Sequence, residues 1–352
     1  MLDDQKAYYL IGYVPEESTF KPVGGRSKFH NIRVRVKRPG LHVRSRAGFY
    51  GISDDERARP ADSAPGRQMY AALTSPFASG DIRLKLTSFY GHDAAKGAFI
   101  RSLLHIDSRD LTFSEEPDGF RKAVIDLVAI TFGDNGRPLD HNNYTYMLGV
   151  PAKDFEKMRE TGFVYNLFLP VKKAGAYQLR LALRDARNGR VGSANQFIEV
   201  PDFNKGRLML SGLVVSGEKM TATQERAAGV TSERHPEEDP QASPALRTFR
   251  RGMIMDYGFF IYNARLDRQT RRPQLETQLR LYRGGKPVYT GQPHQFDPDQ
   301  QSDLKRLAAT GRLDLGTELE PGEYILQMVV TDKLAKGKHS TAAQWIDFEI
   351  VK

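Results

Sequence analysis

The 352-residue chain has no cysteine, and with it go disulfide cross-links, thiolate nucleophiles, cysteine zinc sites and iron–sulfur centres. Each domain must then be held by its apolar core alone. The same absence leaves the redox compartment open. No apolar run approaches the ~20 residues of a bilayer-spanning helix, so no membrane span is expected. The first residues carry no basic, apolar and small-residue leader, and a signal would have to lie upstream if Met1 is a truncated start.

Catalytic signatures are missing as well. His30, His42, His92, His105, His141, His235, His294 and His339 never pair at metal-binding spacing, and H-E-x-x-H is absent. The nucleophile elbow G-x-S-x-G, the dinucleotide turn G-x-G-x-x-G and the phosphate loop do not occur. Two acidic stretches invite a calcium reading. FDPDQQSD supplies Asp297, Asp299 and Asp303 but lacks the glycine and distal glutamate of a calcium loop, and EEPDG (Glu115 to Gly119) is explained as a turn. No catalytic residue, metal ligand or cofactor is therefore expected, and the chain reads as non-enzymatic.

What is present is a succession of strands. AYYLIGYV (Ala7 to Val14) is aromatic and β-branched and is closed by Pro15, as a buried strand would be. Such a strand needs neighbours, so the chain is read as opening on the last strand of a domain whose earlier part lies upstream. Residues 1–50 hold ten Lys or Arg against four Asp or Glu, which is most of the net charge of +9. Ile32, Val34 and Val36 alternate there with Arg33, Arg35 and Lys37, predicting a half-buried strand with a basic, solvated outer face. No aromatics interleave on that face, and nucleic acid is not expected as a partner.

Residues 51–75 read as a charged, Pro- and Ala-rich linker followed by a short helix in RQMYAALTSPF, with Met69, Leu73 and Phe77 a turn apart and Pro76 ending it. From there strands alternate apolar with polar and end in Gly, Pro, Asn or Asp. That pattern predicts antiparallel β-sandwiches, one over 76–203 and a second over 204–352, with a polar, aperiodic loop at 218–246. The fold class expected is mainly β, with two immunoglobulin-like sandwiches in tandem.

An internal repeat supports the tandem. AGAYQLRLALRD, with Gly175, Tyr177, Leu179, Leu183 and Asp185, matches PGEYILQMVVTD, with Gly322, Tyr324, Leu326, Val330 and Asp332, at a constant offset of 147. Gln196, Phe197 and Ile198 align with Gln344, Trp345 and Ile346 one residue further on, and GDNGRP at 133–138 aligns with RGGKP at 283–287. A Tyr just inside a strand after a Gly-containing turn can bury its ring and bond its hydroxyl back to that turn, so Tyr177 and Tyr324 are read as structural, and Trp345 as a core anchor.

YYLIGYVPEESTF, FHNIRVRVKRPGLHVRSRAGFYG, RDARNGRVGSANQFIEVPDFNKGRLMLSGL and VVTDKLAKGKHSTAAQWIDFEIVK together resemble the C-terminal part of von Willebrand factor A-related domain proteins of acidobacteria, over essentially the whole chain. The resemblance implies that residues 1–50 are the closing strands of a truncated A domain and the remainder its β-rich tail, in a secreted or envelope protein. It also implies an upstream metal site of the D-x-S-x-S type. The one approximate match, DLTFS (Asp110 to Ser114), falls outside the A-domain remnant and is read as chance.

An interaction or spacer module is the function expected, with a protein or other extracellular ligand as partner. Sandwich loops commonly carry binding, which singles out His141 to Tyr146 and Gln292 to Asp303, and within them Tyr144, Tyr146, His294, Asp297 and Asp299. Exposed tyrosines on a sandwich also fit a carbohydrate-binding module, for which Tyr144 and Tyr146 are the candidates. A hydrolase working with carboxylates across a cleft is the third reading, without a paired-carboxylate motif behind it.

Overall fold

The computed structural model describes residues 15–20, 28–35, 48–51, 64–75, 77–133, 138–217, 240–299 and 301–352. The opening segment Ala7 to Val14, most of the linker and most of the 218–246 loop lie outside these. Nearly all regular structure is β-strand in antiparallel sheets, with two α-helices among the described residues. No helix there is long and apolar enough to cross a membrane.

At the start, β1 (Phe29–Asn31) pairs antiparallel with β2 (Gly48–Tyr50). The basic strand expected over Ile32 to Lys37 is not formed in its described part. Ile32 to Arg35 follow β1 without a ladder partner, and Val34 is exposed instead of turned inward. The two backbones approach closely at its end: a Cβ on Gly48 would fall 2.1 Å from the His30 carbonyl oxygen. Helix α1 (Ala64–Thr74) begins in the linker and ends before Pro76. Its buried side is Met69, Ala72 and Leu73, packed on Ala182 and Val191, and Phe77 is left exposed.

The first sandwich is built from β3 (Leu84–Asp93), β4 (Gly97–Ile106), the short β5 (Ser114–Glu115), β6 (Phe120–Phe132), β7 (Pro138–Pro151), β8 (Phe163–Val171), β9 (Gly175–Asp185) and β10 (Val191–Val200). One sheet runs β3-β4-β8; the other runs β10-β9-β6-β7, with β5 also on β6. Period-two alternation fills the space between them. Leu104 and Ile106 from β4 meet Ile125 and Leu127 from β6 and Leu181 and Leu183 from β9, while Ile100 packs with Tyr177, Leu179 and Ile198. Helix α1 covers the opposite face of the larger sheet, where Val128 and Ile130 stand, and Arg180 donates to the Leu73 carbonyl at the helix C-terminus.

Between β7 and β8 the chain forms α2 (Ala152–Thr161), which sequence periodicity does not announce because the helix buries no residue fully. It is held by edge contacts: Phe155 against Phe113, and the Ser108 hydroxyl donating to the Met158 sulfur at 2.7 Å.

The second sandwich comprises β11 (Met209–Leu210), β12 (Val214–Ser216), β13 (Thr248–Arg250), β14 (Ile254–Tyr262), β15 (Leu275–Arg283), β16 (Lys286–Thr290), β17 (His294–Gln295), β18 (Arg306–Asp314), β19 (Gly322–Asp332) and β20 (Thr341–Val351). One sheet has β11 and β12 on one side of β14 and β18 on the other. The second runs β13-β20-β19-β15-β16, with β17 also on β15. Its core includes Val215, Phe249, Met255, Ile261, Leu275, Leu307, Leu326 and Ile350, each almost wholly buried.

With β11 and β12 counted as one interrupted strand and the short strands β5, β13 and β17 set aside, both sandwiches place their first, second and fifth strands in one sheet and their seventh, sixth, third and fourth, in that order, in the other. Registers correspond too. Ile125 pairs with Asp185 as Leu275 pairs with Asp332, and the third-to-fourth-strand ladder shifts register at Thr131/Phe132 as at Leu281/Tyr282. Gly175 and Gly322 both open the sixth strand at positive φ, 149° and 141°.

The ladders correct the alignment of the last strand. Gly175 faces Val200 where Gly322 faces Ile350, so Ile198 is matched by Phe348 and not by Ile346. The turn before β20 is longer than the one before β10 and holds a short 3₁₀ turn at Gly337–His339.

Candidate functional site

Tyr144 and Tyr146 are not in a loop. The β6–β7 ladder runs unbroken through His141 to Tyr146, because residues 140–148 alternate as a strand, with Asp140, Asn142, Tyr144, Tyr146 and Leu148 on one side. Tyr144 is 44% exposed and its hydroxyl donates to Asn142 Oδ1 at 3.0 Å, while Asn142 Nδ2 donates to Asp140 Oδ2 at 2.7 Å. The Tyr146 ring lies 5.5 Å from that of Tyr144, and its hydroxyl meets the Tyr165 hydroxyl on β8, tying the two sheets at their open edge. Burial and that contact push the Tyr146 phenol up. Asp140 and Asn142 also line a small gap of about 30 Å³ between the sheets, with Thr131, Ser102 and Leu167.

His294 stands in β17, paired with Thr277, so this part of the expected loop is also a strand. Asp297 accepts from the Asp299 backbone N–H at 2.9 Å, and the Asp299 carboxylate is engaged by Arg272. These acidic groups are thus turn-capping and paired. His294, Asp297 and Asp299 belong to the second sandwich and Tyr144 and Tyr146 to the first, and no contact among the described residues joins the two sets. Among the described residues no three His, Asp or Glu side chains cluster as a metal site. Asp110 of DLTFS accepts from Arg83 through both carboxylate oxygens, at 2.8 and 3.1 Å, and from the Arg83 backbone N–H at 2.9 Å.

Tyr177 and Tyr324 are buried, and each donates its hydroxyl to the carbonyl four residues earlier: Tyr177 to Lys173, and Tyr324 to Glu320 at 2.7 Å. Trp345 is not a core anchor. Alternation along β20 gives the core Ile346, Phe348 and Ile350, which leaves Trp345 half-buried on the other face.

The most elaborate arrangement in the molecule is the joint between the sandwiches, which motif reading does not find because its residues are far apart in sequence. Tyr262 at the end of β14 donates its hydroxyl to the His92 carbonyl at 3.2 Å and accepts from the His92 backbone N–H at 3.0 Å. Phe203, from the connection between the sandwiches, packs its ring 4.9 Å from Tyr262 and 5.1 Å from His92. Gly212 donates to the Tyr90 carbonyl at 2.8 Å, and burial pushes the Tyr90 phenol up to about 12. Further along β3, Thr87 donates to the Ala245 carbonyl at 3.0 Å and accepts from the buried Arg247, whose guanidinium also holds Asp347 at 2.9 Å. Lys85 donates to the Leu246 carbonyl, and burial pushes its ammonium pKa down.

Beside these contacts the outer faces of the two smaller sheets diverge into a narrow cleft enclosing about 60 Å³. Phe89, Phe99 and Leu103 line it from the first sandwich and Gly258, Phe260 and Ala308 from the second. One charged side chain stands in this apolar wall. Arg101 on β4 is 9% exposed and donates to the neutral Asn166 Oδ1 at 2.8 Å; burial pushes its pKa down.

No family model and no curated protein matches the chain. Solved structures similar to it include a red sea bream transglutaminase, with a TM-score of 0.23 and 10% identity over 77% of this chain and 31% of that one. A β-glucuronidase of Parabacteroides merdae gives 0.24 and 10% over 72% and 27%, respectively. A putative β-galactosidase from Bacteroides fragilis gives 0.22 and 12% over 71% and 32%. The chain spans about a third or less of the length of these proteins.

Proposed function

We propose that the chain is a non-enzymatic interaction and spacer unit, two immunoglobulin-like sandwiches forming the β-rich part of a secreted or envelope von Willebrand factor A-related protein. The joint is the observation that carries the spacer reading. A flexible tether would leave two independent modules, whereas here backbone and side-chain hydrogen bonds from Lys85 to His92 meet the second sandwich from Gly212 to Tyr262. Met209 and Tyr262 of the second sandwich also share an apolar cluster with Ile100, Val171 and Tyr177 of the first, and an apolar core in the joint is what favours one mutual orientation over free motion. The shared strand order supports an origin of both sandwiches from one duplicated unit.

Small-angle X-ray scattering of the full chain tests this. A spacer gives a scattering curve fitted by one docked arrangement of the two sandwiches, and a curve that requires a broad spread of separations overturns it. For the family assignment, the test is the genomic sequence upstream of Met1: an in-frame A domain with D-x-S-x-S is expected, and an unrelated domain there refutes it.

A second reading, carbohydrate binding, is favoured by the ribbon Asp140, Asn142 and Tyr144 on β7. It joins a half-exposed ring to a hydrogen-bonded amide and carboxylate, the groups that stack on and bond to a sugar. A glycan array with wild-type chain and Tyr144→Ala decides it: retention lost in the variant supports this reading, and no retained sugar removes it.

A further inference from the structure

Beyond the spacer role, we propose that the outer edge of β7 pairs antiparallel with β7 of a second copy of the chain, joining the larger sheets of two first sandwiches across a two-fold axis at Thr145. Among the described residues no strand occupies that edge. The phase of the ladders gives the backbone groups it offers. One step past the Phe120–Pro151 pair, the Ala152 N–H donates to the Gly119 carbonyl at 3.0 Å; one step past Ile125–Asp185, the Ala186 N–H donates to the Val124 carbonyl at 2.9 Å. Odd-numbered residues of β6 therefore exchange bonds with β7 and even-numbered ones with β9. On β7 the residues bonded to β6 are then Asn142, Tyr144, Tyr146 and Leu148. The N–H and C=O groups of His141, Asn143, Thr145, Met147 and Gly149 point out of the sheet edge, and all five residues are exposed.

Exposed edges are ordinarily blunted by brevity, lysine or proline. The strand β16, fourth in the second sandwich as β7 is in the first, has five residues and carries Lys286 and Pro287. In contrast β7 runs for fourteen residues, with prolines only at its two ends and no Lys or Arg. In a chain of net charge +9, two copies can meet there without basic repulsion. The side chains suit a copy of the same strand. With Thr145 opposite Thr145 of the second copy, the regular stretch from His141 to Gly149 is used from end to end, clear of the register shift at Thr131/Phe132. Tyr144 then faces Tyr146 of the second copy, and Tyr146 faces Tyr144, extending the pair of rings that stand 5.5 Å apart within one chain. Threonine pairs and aromatic pairs are among the cross-strand contacts that stabilise a sheet.

Sedimentation equilibrium of the full chain tests the proposal. A reversible monomer–dimer equilibrium is expected. Asn143→Pro removes an N–H that β6 does not use, and it should weaken the dimer roughly tenfold or more because the donor is lost in both halves. If circular dichroism shows that variant misfolded, Asn143→Lys combined with Met147→Lys replaces it. Both positions are exposed, lysine then faces lysine on each side of the axis, and the weakening should fade as salt is raised. Thr145→Cys, in a chain without other cysteines, should cross-link two copies on oxidation, whereas Val288→Cys at an exposed position of β16 should not. A chain that stays monomeric at roughly 100 μM overturns the proposal and leaves the edge to a strand of another protein. A dimer unchanged by the folded variants overturns it too, since the contact then lies on another face, as does equal cross-linking at the two cysteines. None of these outcomes depends on whether the chain acts as a spacer.

Discussion

Asp185 and Asp332 close the sixth strand of their respective sandwiches in the same way, each with a fully buried carboxylate that collects backbone N–H groups from two separate segments. Asp185 accepts from Thr112 at 2.7 Å and from Arg187 at 2.8 Å; Asp332 accepts from Arg265 at 2.9 Å and from Leu334 at 2.9 Å. In both, one bond shapes the turn into the last strand and the other anchors the segment that leads to the third strand. An ionised carboxylate only accepts, and Asp185 also takes the Asn188 N–H at 3.4 Å. Asp185→Asn and Asp332→Asn put an NH₂ where an N–H must be received, and each is expected to cost about 1–3 kcal/mol. Urea unfolding checks this, and a large loss at one position with none at the other would contradict their equivalence.

The tyrosines two residues inside the same strands give a graded version of the test. Tyr177→Phe and Tyr324→Phe remove only the hydroxyl bond to Lys173 or Glu320 and should cost about 0.5–1.5 kcal/mol. Replacement of either by Ala removes the ring from the core and should cost roughly 3–5 kcal/mol. If the Phe variants were as damaging as the Ala variants, the hydroxyl and not the ring would be the main element.

A pH dependence follows from the cluster on the second-to-third-strand connection of the first sandwich. Hydrogen bonds from Arg109 hold the Asp107 carboxyl below its ordinary range, and hydrogen bonds from Arg83 do the same for Asp110. A carboxyl whose folded pKa is depressed contributes stability above its unfolded value, about 3.9, and loses it as pH falls through the folded value. Melting temperature should therefore fall on acidification below about pH 4, and Asp110→Asn should be less stable at pH 7 with a shallower fall. Parallel curves for variant and wild type between neutral and acid pH would remove these carboxylates from the account.

The joint is exposed to a single methyl group or two. A Cβ on Gly212 would lie 2.9 Å from Phe89 Cβ and 3.2 Å from the Tyr90 nitrogen, both close to the chain and unable to swing away. Gly212→Val should push β3 and the 211–213 segment apart while leaving each core intact. Calorimetry is expected to show the two sandwiches melting further apart in temperature than in wild type. An unchanged melting profile would mean that the joint contributes nothing to the coupling.

The amount of this legible in the sequence follows from how local each signal is. Strand identity and sandwich class were readable because alternation is written residue by residue, and the sixth-strand motif from Gly175 to Asp185 could be matched to Gly322 to Asp332 for the same reason. The last strand was misaligned because Trp345 and Phe197 look like counterparts, whereas the longer turn before β20 moves the register so that Phe348 takes the place of Ile198. His141 to Tyr146 reads as a loop in the sequence, with polar residues at His141, Asn142 and Asn143. The β6 ladder overrides that local preference. Helix α2 escaped because its stabilising contacts, Phe155 with Phe113 and Met158 with Ser108, come from residues about forty to fifty positions away. The cleft had no sequence signature at all: Arg101 and Ala308 come together only after two sheets have turned their outer faces toward each other.

The parallel pairing of β13 with β20, Thr248 with Glu349 through Arg250 with Val351, has a mechanical meaning. Tension applied along the chain pulls two parallel neighbours in opposite directions along their length, so the ladder bonds between them are loaded together in shear. An antiparallel pair joined by a hairpin and pulled at its open end is unzipped one bond at a time. The first sandwich has no parallel pair among its described residues. Under a stretching force, then, the second sandwich should yield last, and single-molecule pulling should show two rupture events of unequal height, the taller one lowered by Phe249→Pro, which removes a donor from the parallel ladder. Equal rupture forces in the wild-type chain would deny β13 that role.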